Sequence, residues 1–272
     1  MCRKLAFAAT VFAIALPAGA ALAASPAQAP APVAAPAASA APARASAEQR
    51  RLADREAPMT RAAFWGRETQ IDPNDAEAGV KLAGALRAIG QYDQAADAAQ
   101  RVITLQPNNV EALLEFGRAR IAAGQAFYAI DALRQAGAQA PRDWRPVSLL
   151  GVAYEQVERT EDAVTTYQRA LTLSPANPAV LSNLAMLYAT RGDAVRAEGL
   201  LRQAVSQPGS TIQIRQNLAL VLGMQGKLAE AEALVREDLP PELANNNVAY
   251  LRAVAASKSL TPAAAAPALR GG

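Results

Sequence analysis

Residues 144–177 read WRPVSLLGVAYEQVERTEDAVTTYQRALTLSPAN, and the fold follows from this stretch. Val147, Leu150 and Tyr154 are three and four residues apart, which puts them on one face of a helix. Gly151 and Ala163 are small, so a second helix can cross the first closely. A side chain longer than a methyl at Ala163 would overpack that crossing by roughly 1–3 kcal/mol. Pro175 ends the second helix, because the residue before a proline is pushed out of helical geometry. The stretch therefore predicts a helix, a turn and a second helix within 34 residues.

The same step of 34 recurs along the chain. Ala95, Ala129, Ala163, Ala197 and Ala231 form one ladder. Leu82, Phe116, Leu150, Leu184 and Leu218 form another, and Ala83, Gly117, Gly151, Ala185 and Ala219 follow it by one residue. Pro107, Pro141 and Pro175 keep the step, with Pro73 one period earlier. Gly90, Gly124, Gly192 and Gly226 mark the ends of first helices, where a left-handed cap suits glycine. Glu158 stands in for the missing glycine. One such unit cannot bury its apolar face alone, so the units must stack.

The period and the pattern Val147, Leu150, Gly151, Tyr154, Ala163, Tyr167, Pro175 resemble the tetratricopeptide-repeat (TPR) superfamily over about residues 76–242. The expected fold is all-α: an α-solenoid, a right-handed superhelix of about five helix-turn-helix units. Their bounds are 76–109, 110–143, 144–177, 178–211 and 212–242. The last unit fits least well, because Arg215 and Asp238 fall on sites that usually pack. Residues 44–75 read as a helical N-terminal half-unit, with Phe64 and Trp65 packed on the first full repeat. A capping helix over 243–257 carries Leu243, Val248, Tyr250 and Leu251.

The ends of the chain speak to its setting. Residues 1–24 read as a secretory signal: Arg3 and Lys4, an apolar run from Leu5 to Leu16, then Ala21-Leu22-Ala23 as a cleavage site. Residues 25–43 are almost entirely Ala, Pro and Ser, the composition of an extended tether, and residues 258–272 read as a disordered tail. Cys2 is the only cysteine, so the processed chain has no thiol, no disulfide and no lipid-acceptor cysteine. Removing Arg3 and Lys4 takes 27 basic residues to 25 against 24 acidic, a net charge of +1. That balance does not suggest nucleic-acid binding, which needs a clustered basic face. Arg44, Arg50, Arg51 and Arg55 are interleaved with acids and read as a solvated helix face. No transmembrane segment is expected in the processed chain.

Little in the sequence supports catalysis. Histidine is absent, and so are the glycine-rich phosphate loops. Glu161-Asp162 and Glu230 with Glu232 sit near the starts of second helices, where carboxylates favour the helix dipole. Trp65 and Trp144 read as packing anchors. The expectation is a protein that is not an enzyme and takes no cofactor or metal.

The TPR resemblance implies a groove lined by the first helices. The residue before each ladder Leu or Phe points into it: Lys81, Glu115, Leu149, Asn183 and Asn217. Next come Gly84, Arg118, Val152, Met186 and Leu220. Asparagine in the first of these places holds a bound peptide's backbone in this superfamily, which points to Asn183 and Asn217. Lys227, in the turn of the last repeat, is expected to touch neither stability nor binding.

Larger runs narrow the resemblance. They are Arg142-Asp143-Trp144-Arg145-Pro146, Leu149-Leu150-Gly151-Val152-Ala153-Tyr154, Gln216 to Gly223, and Asn247-Val248-Ala249-Tyr250-Leu251-Arg252. With the signal and the Ala/Pro tether they look like TadD-type proteins of the Flp (tight adherence, Tad) pilus assembly system. That resemblance implies a periplasmic assembly factor whose partners are proteins of the pilus and its type II-like secretion apparatus. Any outer-membrane association would come through a partner. The alternative is a general cell-envelope scaffold for outer-membrane or cell-wall assembly.

Overall fold

A computed structural model describes residues 43–256. The signal segment, nearly all of the tether and the tail lie outside the described residues. Every regular element within them is helical, and the chain is an α-solenoid of stacked pairs. Two helices come first, α1 (Ala47–Ala53) and α2 (Pro58–Ile71). After them come α3 (Ala76–Ala88) with α4 (Tyr92–Leu105), and α5 (Val110–Ala122) with α6 (Ile130–Gln139), the latter entered through a 3-10 turn over Ala126–Ala129. The next pairs are α7 (Trp144–Gln156) with α8 (Thr160–Leu173), and α9 (Pro178–Thr190) with α10 (Ala194–Val205). The last pair is α11 (Ile212–Met224) with α12 (Leu228–Asp238), and α13 (Pro241–Ala256) closes the stack. No helix among the described residues is long and apolar enough to cross a membrane.

The first helices share a start signal that the sequence reading passed over. Asp75, Asn109, Asp143, Asn177 and Thr211 are spaced by the same period, and each side chain caps its helix by accepting a backbone N–H. At the other end, Gly90, Gly124, Gly192 and Gly226 all have positive φ. Glu158 adopts φ 60° in the same place, so the unit's geometry imposes a left-handed turn on a residue that disfavours it.

The ladder alanines Ala95, Ala129, Ala163, Ala197 and Ala231 are fully buried. Beside them the packing is set by pairs. A Cβ on Gly151 would lie 2.6 Å from the Tyr167 ring, and one on Gly117 would lie 2.6 Å from Leu133. Another pair of sites reads Gly79/Val102, Leu113/Ala136, Val147/Ala170 and Leu181/Ala204 in successive units. A small residue on one helix accompanies a larger one on the other. In the last unit this pair is Arg215/Asp238. Arg215 Nε and Nη2 donate to the Asp238 carboxylate at 2.6–2.9 Å, so the two residues that break the apolar pattern satisfy each other.

The N-terminal segment differs from the half-unit read from the sequence. It holds two helices, and α2 begins one period before α4. The residues of α1 at the Leu82 and Ala83 sites are Glu48 and Gln49, both exposed, so α1 buries only Ala53 and touches α2 only sparsely. Charge holds it instead. Arg50 donates to Glu68 at 2.7 Å, Asp75 at 2.6 Å and Glu77 at 2.9 Å, and its guanidinium lies 5.5 Å over the Trp65 ring. Arg44 pairs with Asp72 and Asp75. Arg50 therefore does not belong to a solvated face, whereas Arg44, though paired, is exposed, as are Arg51 and Arg55. The reason is Glu68, 1% exposed on a site that is apolar in the next four units and holds the paired Asp238 in the last: a buried carboxylate needs a cation.

Lys227 is not a bystander either. Its Nζ donates to Glu198 at 2.6 Å, and Gln225 and Arg202 donate to the same carboxylate. Lys227 foremost, joined by Arg202 and Gln225 and opposed by burial, holds the Glu198 carboxyl down at about 2. A depressed carboxyl contributes stability above its ordinary value of 4.5 that is lost as pH falls toward about 2. Lys227→Ala should therefore lower the melting temperature at neutral pH and converge with the wild type near the acid end, as a melting series across that range would show. A second expectation concerns Arg215 and Asp238. Asp238→Ala alone should cost about 1–3 kcal/mol by leaving the arginine unpaired. Adding Arg215→Leu, which recreates the Leu113/Ala136 pairing, should return urea stability to the wild-type value or above.

Candidate functional site

The helices divide into two rows. Each first helix touches the next one along the stack, α3 to α5, α5 to α7, α7 to α9 and α9 to α11, whereas the second helices do not meet one another. The first helices are thus the closer-spaced row, and their exposed side forms the inner face of the stack. The caps set the start of each helix in this row, which keeps the groove positions in register from unit to unit.

Helices α7 and α9 are in contact, and they carry Leu149, Val152, Asn183 and Met186 at their groove positions. All four are half-buried. Leu149 and Val152 lean on the middle core, and Met186 on the C-terminal one. Asn183 makes no side-chain hydrogen bond to another described residue, so its amide is uncommitted. It can donate twice and accept at its oxygen.

Asn217 differs. Its Nδ2 donates to the buried Ser182 hydroxyl at 3.0 Å, and its Oδ1 accepts from Gln213 at 3.2 Å. The amide that the sequence offered to a ligand ties α11 to α9. Leu220, expected in the groove, is 2% exposed within the C-terminal core, where α13 packs against α11. The capping helix closes the groove's C-terminal end, and the repeat pattern alone gave no sign of which side chains the cap would cover.

Glu115 and Arg118, on α5, are also paired. Glu115 is largely buried and accepts from Arg118 Nη1 at 2.6 Å and from Arg87 Nε of α3 at 2.9 Å. The charge in this half of the groove is thus compensated internally. One unit on, Arg145 bridges Glu111 and Asp143. Burial works to raise the Asp143 carboxyl, yet the hydrogen bonds from Arg145 outweigh it and hold the group below the usual carboxylate range.

Two surfaces escaped the sequence reading. Phe127 and Tyr128, in the 3-10 turn, are 73% and 66% exposed and stack edge to face at 5.8 Å. Arg61 occupies the ladder-alanine site of the α1–α2 pair and, with Trp65, lines a cavity beside Lys81 and Gly84. The ladder extended one step back from Ala95 lands on Arg61 and could have exposed it.

Tetratricopeptide-repeat family models match residues 77–109, 115–178, 154–219 and 211–239. The chain carries tetratricopeptide repeats. Among solved structures, this TPR stack is similar to a thermophilic TPR protein of Thermus thermophilus. The identity is 25%, covering 65% of this chain and 98% of that one, with a TM-score of 0.59. It is similar in fold to MamA (41-end) from Desulfovibrio magneticus RS-1, at 24% identity over 58% of this chain and 92% of that one, TM-score 0.51. It is likewise similar in fold to pilF of Pseudomonas aeruginosa, at 18% identity over 71% and 92%, TM-score 0.53. No protein of curated function matches the chain. A TPR stack has protein partners, and its inner face is the surface on which to look for them.

The two asparagines should respond differently to removal. Asn217→Ala deprives the buried Ser182 hydroxyl of its partner and should cost about 1–2 kcal/mol. Asn183→Ala should cost less than about 0.5 kcal/mol. Urea midpoints of the two variants check this.

Proposed function

We propose that the chain is a non-enzymatic adaptor that holds a partner polypeptide along the inner face of its TPR stack, and that it works in the periplasm as an assembly factor of the Flp/Tad pilus. The groove positions of α7 and α9 carry the adaptor reading: three half-buried apolar side chains, Leu149, Val152 and Met186, and the uncommitted amide of Asn183. Apolar surface of this kind gains from being covered. An amide in the same row suits the backbone of an extended or helical segment, because it both donates and accepts. The internally paired charges at Glu115 and Arg118 leave these positions as the groove's readiest contact.

The setting and the apparatus rest on sequence. The signal-like residues 1–24 support export, and the runs shared with TadD-type proteins support the pilus. A photo-crosslinking residue at Val152 of the exported chain tests both. It should capture pilus-apparatus proteins from the periplasm, and mass analysis should show the N-terminal segment removed. Asn183→Ala should weaken capture about two- to tenfold without changing the melting temperature. Capture of other envelope proteins alone would make the chain a general cell-envelope scaffold. Capture from Gln168, an exposed residue of α8, with none from Val152 would move the site off the groove. An intact N-terminus in the membrane fraction would remove the periplasmic reading.

A further inference from the structure

Phe127 and Tyr128 stand on the edge of the stack where first helices turn into second ones, in the 3-10 turn that leads into α6. Both are exposed, and their only ring contact among the described aromatic residues is with each other. Tyr128 also lines an open recess of about 420 Å³ with Arg120 and Gln125. The charge in that recess is already compensated, since Arg120 donates to Asp93 at 3.2 Å and to Gln125 at 2.7 Å. Two adjacent aromatic rings with a recess beside them form a surface that gains from being covered.

Charge narrows what can cover it. Asp93 stands one period before Phe127 and Glu161 one period after it, on the same edge. Asp131 follows Phe127 by four residues and Tyr128 by three, the spacings that bring side chains together on a helix. Among the described residues Asp131, 98% exposed, meets only Arg134 at 3.8 Å, and Glu161, 91% exposed, meets only Arg191 at 4.0 Å. Arg134 in turn gives its Nε and Nη2 to the Tyr154 hydroxyl. An acidic segment or an anionic membrane would be repelled here. Elsewhere the chain covers its rings with arginine: Arg120 lies 5.3 Å over Phe116, Arg159 4.5 Å over Tyr154 and Arg196 4.6 Å over Tyr188. Among the described residues no cation lies over Phe127 or Tyr128. A cation brought to these rings is attracted by their π faces and by the carboxylates around them.

We propose that this edge is a second docking surface, separate from the groove, for a partner polypeptide that presents an arginine or lysine beside an apolar side chain. The cation lies over the rings of Phe127 and Tyr128 among Asp93, Asp131 and Glu161, and the apolar side chain enters the recess beside Tyr128. These residues belong to the starts of second helices, whereas the groove is lined by first helices. The edge can therefore be occupied whether or not the groove is.

Random dodecapeptides displayed on phage, panned on the full chain, test this once clones that still bind the Phe127→Ser/Tyr128→Ser variant are removed. Both side chains are exposed, so that variant should melt at the wild-type temperature. The remaining clones should share an arginine or lysine next to a large apolar residue. One of them, made as a soluble peptide, should bind about tenfold or more weakly when glutamine replaces its cation. It should bind the Asp131→Asn/Glu161→Gln variant about two- to fivefold more weakly, and its affinity should fall as salt rises. Asn183→Ala, in the groove, should leave the affinity unchanged; a loss there would put the peptide in the groove and overturn the proposal. No clone that depends on the two rings, dependent clones that lack a cation, or an affinity indifferent to the glutamine replacement would overturn it too. So would self-association of the chain, or binding to phosphatidylethanolamine–phosphatidylglycerol vesicles, that disappears in the Phe127→Ser/Tyr128→Ser variant, because the surface would then belong to a second copy or to a membrane.

Discussion

Each ladder alanine is fully buried where the two helices of a unit pack together. The rest of the stack depends on that contact. It holds the two helices of a unit together and repeats at a constant step, so it sets how each unit meets the next. The constraint acts on pairs of residues rather than single ones. Gly79 tolerates Val102 for the same reason that Leu113 accompanies Ala136. Arg215 and Asp238 meet the condition by different chemistry: a bidentate ion pair occupies the site that apolar atoms fill elsewhere.

In the first helix pair the condition lapses, and the packing changes with it. Arg61 is too long for the ladder site, and α1 has polar residues where an apolar face is needed. The pair is held by the cluster of Arg44, Arg50, Glu68 and Asp75. Ion pairs fix distances between a few atoms but do not fill volume, which leaves a cavity lined by Arg61 and Trp65. Attachment by charge makes this end of the stack the one whose docking depends on ionised carboxylates.

Along the inner face the chemistry changes with position. The N-terminal part is charged but internally compensated, through Glu115 with Arg87 and Arg118. The middle, over α7 and α9, is apolar with one available amide. At the C-terminal end Leu220 is buried and Asn217 is engaged with Ser182. A partner laid in this groove meets its least committed surface in the middle, which is why the adaptor reading centres on Leu149, Val152, Asn183 and Met186.

The repeat length, the small residues at helix crossings and the positions of the turns were all legible from the sequence. Each depends on residues within one unit and on periods that local geometry dictates. Even Glu158 could be placed at a left-handed turn from spacing alone. The fates of Asn217, Leu220, Arg50 and Lys227 were not legible. Their partners, Ser182, the α13 cap, Glu68 and Asp75, and Glu198, lie in other helices. Whether a side chain at a groove or surface site is free depends on which groups a neighbouring helix places within hydrogen-bonding or packing reach. The sequence by itself determined a stack of TPR units and the row of positions that could face a ligand. Only the tertiary structure decided which of those side chains remain unspent, because hydrogen bonds and burial are settled by distances between helices that the period does not encode.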